Sequence, residues 1–181
     1  ILDTYKGETL WNNLNEVTEP TYLTNYGDLN IEDINITNSN SSNSAIENKA
    51  DASLDIKNST ITAQNGYAIN NYGSLKLEEA FRLESTNLGL YNNAGSTCDD
   101  IETGYIKGLY TAEDLTLGEN LEVVGNGENG HVAVGAGNNA TLTINGTSIT
   151  NTGSDQGVYN NGPATIIINE GTTINVASGS G

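Results

Sequence analysis

The chain has 181 residues and a formal net charge of −17, from 23 acidic and 6 basic side chains. So few cations exclude a basic surface for nucleic acid, and anionic membrane surfaces repel such a chain. No apolar run approaches the roughly 20 residues of a membrane span, so we expect no membrane insertion. The single cysteine, Cys98, excludes a disulfide framework. Leu, Ile, Val and Phe make up about 22% of the chain, close to the composition at which a strongly charged chain stops forming a packed core.

Residues 1–21 are predicted to form an N-terminal cap with a short amphipathic helix. Leu10, Leu14 and Val17 would share one face of this helix. Thr9 suits the N-cap position, and Pro20 ends the segment. A helix in this place would cover the first of the repeats that follow.

From residue 22 onward the chain repeats a unit of the form small–apolar–x–Asn–x–Gly. Its members span residues 22–27, 45–50, 68–73, 89–94, 108–112 and 157–162, with a weaker member at 131–135. The apolar residue falls at 23, 46, 69, 90, 109, 132 and 158. The mean period of about 22 residues lies in the range typical of solenoid repeats.

Short alternating stretches follow each unit, such as Leu29-Asn30-Ile31 and Leu54-Asp55-Ile56. Alternation with period two predicts short strands with one buried face. Three strands for each repeat predict an all-β fold, a single-stranded parallel β-helix of about seven coils over residues 22–181. Residues 96–107 break the register and predict an irregular coil. The alternative is a β-sandwich, but a sandwich has no reason to repeat one turn after every third strand.

The repeats resemble those of adhesin-like and autotransporter-like surface proteins of bacteria and archaea, which have a pectin-lyase-like right-handed β-helix. Residues 68–77 and 139–150 carry this resemblance most clearly, and it extends over residues 22–176. The resemblance implies right-handed coils and an extracellular or cell-surface location. Because the fold carries lyases, hydrolases, adhesins and inert stalks, activity has to be argued from sites.

An asparagine recurs two residues after the apolar position. Its amide is able to donate to the coil on one side and accept from the coil on the other, and asparagine tolerates left-handed turns. We therefore expect a stacked structural ladder of these side chains rather than a ligand site. The members are Asn25, Asn48, Asn71, Asn92 and Asn160.

Tyrosines recur at the position directly after the apolar residue, at Tyr91, Tyr110 and Tyr159. They should point outward, because the preceding apolar residue points inward. This row is our candidate binding surface, with a glycan or a host surface protein as partner. Alternatively, the rings pack over neighbouring turns and shield the ladder. Tyr26 and Tyr72 form a second recurrent pair near a coil corner.

A polysaccharide lyase needs clustered carboxylates for calcium and a basic group that accepts a proton. The bases to consider are Arg82, Lys57, Lys76 and Lys107. Lys57 and Lys76 are about one coil apart and are expected to share a face with Arg82, and we interpret these residues as counter-charges on an acidic surface. His131 is interpreted as a loop residue, and Cys98 as a buried small residue whose acidic neighbours disfavour a thiolate. We predict no catalytic residues, no metal site and no cofactor beyond loosely bound Ca²⁺.

The favoured function is a non-enzymatic extracellular or cell-surface module that acts as an adhesin or stalk. A second hypothesis is a filament subunit that stacks head to tail, because the sequence ends in a Gly- and Ser-rich stretch with no capping device. A polysaccharide-active enzyme is the least favoured alternative.

Overall fold

The computed structural model describes residues 22–39, 42–125 and 132–177, together with the backbone course of 4–5 and 8–12. Within these residues, every strand pairs in parallel with strands of the neighbouring coils, so the fold is an all-β parallel β-solenoid. The chain makes about six turns between Leu23 and Val158. At about 4.8 Å per turn, these turns extend over about 29 Å. None of the described residues lies in a helix, so the described part of the chain holds none that spans a membrane.

Three faces run along the solenoid, and the strands of one coil are called a tier. Face 1 is an eight-stranded sheet of β1 (Thr4–Tyr5), β3 (Leu23–Asn25), β6 (Ile46–Asn48), β9 (Ile69–Asn71), β12 (Leu90–Asn92), β15 (Leu109–Thr111), β17 (Val134–Gly137) and β20 (Val158–Asn161). Face 2 contains β2 (Glu8–Asn12), β4 (Asp28–Glu32), β7 (Ser53–Lys57), β10 (Ser74–Glu78) and β13 (Thr97–Cys98).

Face 3 contains β5 (Asn35–Asn38), β8 (Thr60–Ala63), β11 (Arg82–Ser85), β14 (Ile101–Lys107), β16 (Leu115–Gly125), β18 (Thr141–Ile144), β19 (Ser148–Asn151), β21 (Thr165–Ile168) and β22 (Thr173–Val176). The long strand β16 turns the corner, because its start pairs with β18 and its end pairs with β19. Strands β20, β21 and β22 form the last described tier.

The core is a column of aliphatic side chains supplied by the alternation within each strand. On face 1 the inward residues pair coil to coil as Leu23, Ile46, Ile69, Leu90, Leu109, Val134 and Val158. All but Val158 are at most 1% exposed. The assignment of residue 132 to this row is wrong, because Leu109 pairs with Val134. The small–apolar pair of that coil is Ala133-Val134, and both residues are fully buried.

The predicted cap helix is not what the described N-terminal residues form. Residues 9–12 belong to strand β2, whose Thr9 and Trp11 pair with Leu29 and Ile31. The open edge of β4 offers this segment a complete set of backbone partners, which a local helix would forgo. Residues 13–20, the rest of the predicted helix, lie outside the described residues.

Residues 96–107 hold the shortest face 2 strand, β13, and a register shift in β14 between Ile101 and Thr103. Gly104 in β14 has a φ of +110°, and a Cβ there would lie 2.6 Å from the ring of Phe81. The irregularity is thus accommodated by a glycine that lets the Phe81 ring fill the interior.

Candidate functional site

The asparagine ladder runs along the inside of the corner between faces 1 and 2. The Asn25, Asn48 and Asn71 amides each donate to the Oδ1 of the asparagine one coil further on, at 2.8 Å. The Asn92 amide donates in turn to the Thr111 hydroxyl at 3.2 Å. These five side chains are fully buried, so the ladder satisfies polar groups that would otherwise cost free energy in the core.

The ladder residues also form hydrogen bonds to the backbone of the adjacent turns. The Asn25 amide donates to the carbonyl oxygen of Ser53 at 2.8 Å, and the Gly27 N–H donates back to Asn25 Oδ1 at 3.1 Å. The ladder asparagines do not use the left-handed conformation that this residue type tolerates. The described non-glycine residues with positive φ lie elsewhere, at Asp33, Asp51, Asn58, Glu79, Asn138 and Asn139. The ladder asparagines end extended strands, and their side chains rather than their backbones make the turn.

The ladder does not extend to Asn160. In the register of face 1, Thr111 is followed by Ala136 and then by Asn160. The alanine side chain has no polar group that could accept a hydrogen bond from Thr111 or donate one to Asn160. The exposed Asn160 amide instead donates to the carbonyl oxygen of Ala164 at 2.8 Å. Asn160 therefore occupies the ladder position without being a member of the ladder.

Three tyrosine rings stack on the outside of face 1. Tyr91 lies between Tyr67 and Tyr110, with ring centroids 4.8 and 5.0 Å apart and interplanar angles of 21° and 20°. We call Tyr67, Tyr91 and Tyr110 the tyrosine stack. Burial raises the pKa of the Tyr91 phenol, and the two neighbouring tyrosines raise it further. The stack leaves mainly ring edges and hydroxyls to a partner, because the ring faces cover each other.

Tyr159 does not join the stack. Gly135 stands between Tyr110 and Tyr159 in the register. A Cβ on Gly135 would lie 2.9 Å from Tyr110, and one on Gly137 would overlap the Tyr110 hydroxyl. The Tyr110 ring thus leans over these glycines, and its hydroxyl accepts a hydrogen bond from Asn161 at 3.3 Å. Tyr159 is 41% exposed and forms a separate aromatic position.

Two of the lysines considered as bases are ion-paired on face 2. Lys57 contacts Glu32 at 3.4 Å and Glu79 at 3.0 Å, and Lys76 contacts Glu78 at 2.6 Å. Hydrogen bonds to these carboxylates raise the pKa of both lysines. A lysine with a raised pKa stays protonated at neutral pH and is a poor general base.

Arg82 does not share a face with these lysines, because it lies on β11 of face 3. Its guanidinium stacks on the Tyr105 ring, 3.6 Å from the centroid, and its Nε donates to Glu84. This geometry gives the only arginine two local partners. The sequence spacing had suggested a common face with Lys57 and Lys76, and the register excludes it.

Cys98 is half-buried and packs against the core. Burial, followed by the charges of Asp99 and Asp100, raises the pKa of its thiol to about 12. No group of three His, Cys, Asp or Glu within the described residues is placed to hold a metal ion. His131 lies outside the described residues.

The sequence interpretation missed two residues that shape face 1. Tyr67 stands two positions before its apolar residue, so the spacing that groups Tyr91 and Tyr110 does not include it. Glu47 lies in the same outward row, in the register Thr24, Glu47, Asn70, Tyr91. Among so many acidic residues, no sequence signal distinguishes Glu47.

No family model, no curated protein and no solved structure matches the chain. The class of protein is therefore defined by the fold: a parallel β-solenoid with a buried asparagine ladder and an aromatic stack on one face.

Proposed function

We propose that the protein is a non-enzymatic module of an extracellular or cell-surface protein, where it acts as an adhesin or stalk. The observation that carries this proposal is the tyrosine stack on face 1. Aromatic residues with accessible edges and hydroxyls are typical of binding surfaces, because they combine apolar area with a polar tip. Here they are fixed on adjacent coils of a rigid sheet.

The mechanism is presentation of a preorganised surface. Strand pairing and the asparagine ladder hold each coil in register, so little side-chain order has to be gained on binding. The net charge of −17 keeps the solenoid soluble and repels other acidic surfaces. The partners are glycans or host surface proteins, which would contact the tyrosine stack and Tyr159.

The resemblance to surface-protein repeats supports the extracellular or cell-surface location. It also supports right-handed coils, which agree with the right-handedness of about 98% of parallel crossover connections. Ca²⁺ would bind only loosely to the acidic surface, through its overall charge. The raised pKa of Lys57 and Lys76 argues against proton abstraction by either lysine, so we expect no turnover in a screen of acidic polysaccharides with and without Ca²⁺.

Binding of the purified chain to a glycan array and to a panel of matrix proteins tests this proposal. We expect Tyr91→Ala combined with Tyr110→Ala to abolish the binding seen with the wild type. Tyr105→Ala is the matched control, because Tyr105 is a half-buried tyrosine on face 3. Tyr159→Ala probes face 1 without disturbing the stack. Binding that survives the double substitution in a folded protein would remove the tyrosine stack from the mechanism.

A second candidate is a filament subunit that stacks end to end. The last described tier favours it, because Ile168 occupies an inward position and is nevertheless 51% exposed. In the coil below, the paired residue Ile144 is fully buried. Another tier of parallel strands would cover this end.

A further inference from the structure

A small polar pocket opens on face 1 beside the tyrosine stack. Its volume is about 210 Å³. Outward side chains of three successive strands, Thr24, Glu47 and Asn70, line it on one side. Residues 42–44 and Tyr22 line the other side. In the register of face 1, Asn70 is directly followed by Tyr91, so the pocket and the stack form one continuous strip.

The pocket is rich in uncommitted hydrogen-bonding groups. The Tyr22, Thr24, Ser42, Asn43 and Ser44 side chains form no hydrogen bond with any other described residue. Hydroxyl and amide groups both donate and accept. Such a mixture around an aromatic ring matches a sugar, whose hydroxyls also donate and accept and whose ring carbons present an apolar face.

Among the described residues that line the pocket, Glu47 alone has a charged side chain. Its carboxylate also contacts the Lys49 ammonium at 2.6 Å, so this ammonium already has an anionic partner and offers little to an anionic ligand. Sugar hydroxyls that donate to the carboxylate would form charge-assisted hydrogen bonds, which are stronger than neutral ones. A carboxylated or sulfated sugar would meet Glu47 and the overall charge of −17. The electrostatics therefore select a neutral ligand.

We propose that this pocket binds one neutral pyranose ring, at the end or at a branch of a glycan. The inference rests on the proposed function, because it names the ligand class of the same face. The volume lies below the roughly 300–1,000 Å³ of sites for drug-sized ligands, which agrees with a single ring. The adjacent tyrosine stack would contact the next part of the glycan.

Saturation-transfer NMR and titration with methyl glycosides test the pocket directly. The neutral probes are the methyl glycosides of glucose, galactose, mannose and N-acetylglucosamine, and the acidic probe is methyl glucuronide. We expect at least one neutral glycoside to bind and the glucuronide to bind at least about tenfold more weakly. Glu47→Gln should weaken the neutral glycoside about tenfold, because it removes a charged acceptor.

Glu84→Gln is the matched control. Glu84 is 34% exposed, as Glu47 is, and it also pairs with a cation two residues away, but it lies on face 3. Asn43→Ala is a second pocket variant that leaves the Glu47–Lys49 ion pair intact, and it should also weaken binding. The Tm of all three variants is measured to check that each folds as the wild type does.

Three results would each overturn the proposed pyranose site. They are an equal loss of affinity in Glu84→Gln, tighter binding of the glucuronide than of the neutral glycosides, and no binding of any neutral probe. The proposed function is tested separately on the array. Array binding that depends on Tyr91 and Tyr110 but not on Glu47 would support the proposed adhesin function and contradict the pyranose site in the pocket. Array binding that depends on Glu47 alone would support the pyranose site and contradict a role of the tyrosine stack in binding.

Discussion

At the scale of single residues, the asparagine ladder makes a sharp prediction for stability. Asn71→Ala removes the hydrogen bonds that the Asn71 amide donates to Asn92 and to the Thr97 carbonyl. It also leaves the Asn48 amide without its acceptor on Asn71. Because an unsatisfied buried polar group costs roughly 1–3 kcal/mol, we expect the free energy of unfolding to fall by about 3 kcal/mol. Urea denaturation followed by circular dichroism measures the change.

The control for this prediction is Asn160→Ala. Asn160 shares the ladder register but is exposed and donates only to the Ala164 carbonyl. Its replacement should cost less than about 1 kcal/mol. Equal losses of stability for the two variants would mean that the ladder contributes nothing beyond an ordinary surface hydrogen bond.

Cys98 predicts a pH dependence at the alkaline end. Its thiol pKa is raised from 9.0 to about 12, so the folded protein holds this proton more tightly than the unfolded chain. The stabilising contribution is fully present below pH 9 and is lost as the pH rises toward 12. Tyr67, Tyr91 and Tyr105 also have raised pKa values, so the measurement compares the wild type with Cys98→Ala. The wild type should lose more stability across this window.

Thiol alkylation gives an independent check of Cys98. At pH 8 the native protein should react with iodoacetamide far more slowly than the same protein in guanidinium chloride, because the thiolate is the reactive form. Similar rates in both conditions would contradict the burial of this thiol.

At the scale of the strand, two glycines with positive φ allow the cost of a steric clash to be distinguished from the cost of backbone strain when each is replaced by alanine. A Cβ on Gly104 (φ +110°) would collide with the Phe81 ring inside the bulged strand β14, whereas a Cβ on Gly95 (φ +82°) would meet nothing within 4 Å. We expect Gly95→Ala to cost about 1 kcal/mol from backbone strain alone. Gly104→Ala should cost about 3 kcal/mol or more, because overpacking adds to the strain. Thermal unfolding compares the two, and equal shifts would exclude the Phe81 contact as a cause.

The elements show what the sequence was able to predict. Period-two alternation predicted the parallel coils, because inward residues such as Ile46 and Ile69 recur at a nearly fixed spacing. It failed where two positions compete: Val132 and Val134 both suit an apolar row, and only pairing with Leu109 decides between them. It failed again at residues 9–12, because the pattern of Leu10 and Leu14 fits a helix while the open edge of β4 favours a strand.

The candidate site was less predictable than the coils, and the reason is three-dimensional. Tyr91 and Tyr110 share one sequence position, so a row was foreseeable. Tyr67 reaches the stack from the preceding turn, and Gly135 removes Tyr159 from it. The pocket around Glu47 depends on the placement of residues 42–44, which lie in the turn between β5 and β6 and outside the alternating pattern of the strands. Features set by a single irregular turn leave no periodic signal.

At the scale of the whole molecule, the low apolar content becomes understandable. A solenoid buries one narrow column of aliphatic residues and satisfies its backbone by pairing successive coils. Even its buried polar side chains are satisfied: within the described residues, none of their nitrogen or oxygen atoms lacks a hydrogen-bond partner. The charge that suggests disorder in a globular chain is carried on the outer wall, where it stays solvated.

The last described tier makes the final prediction, which concerns association. If another copy covers β20–β22, the wild type should associate at high concentration in sedimentation velocity. Association would remove the exposed inward side chain of Ile168 from water, which is favourable. Ile168→Lys would place a charge in that contact and should prevent association. Ile167→Lys is the matched control, because Ile167 precedes it on the same strand, is 41% exposed and faces outward. If both substitutions prevent association, the contact is lateral rather than end to end. A wild type that stays monomeric at every concentration would exclude the filament.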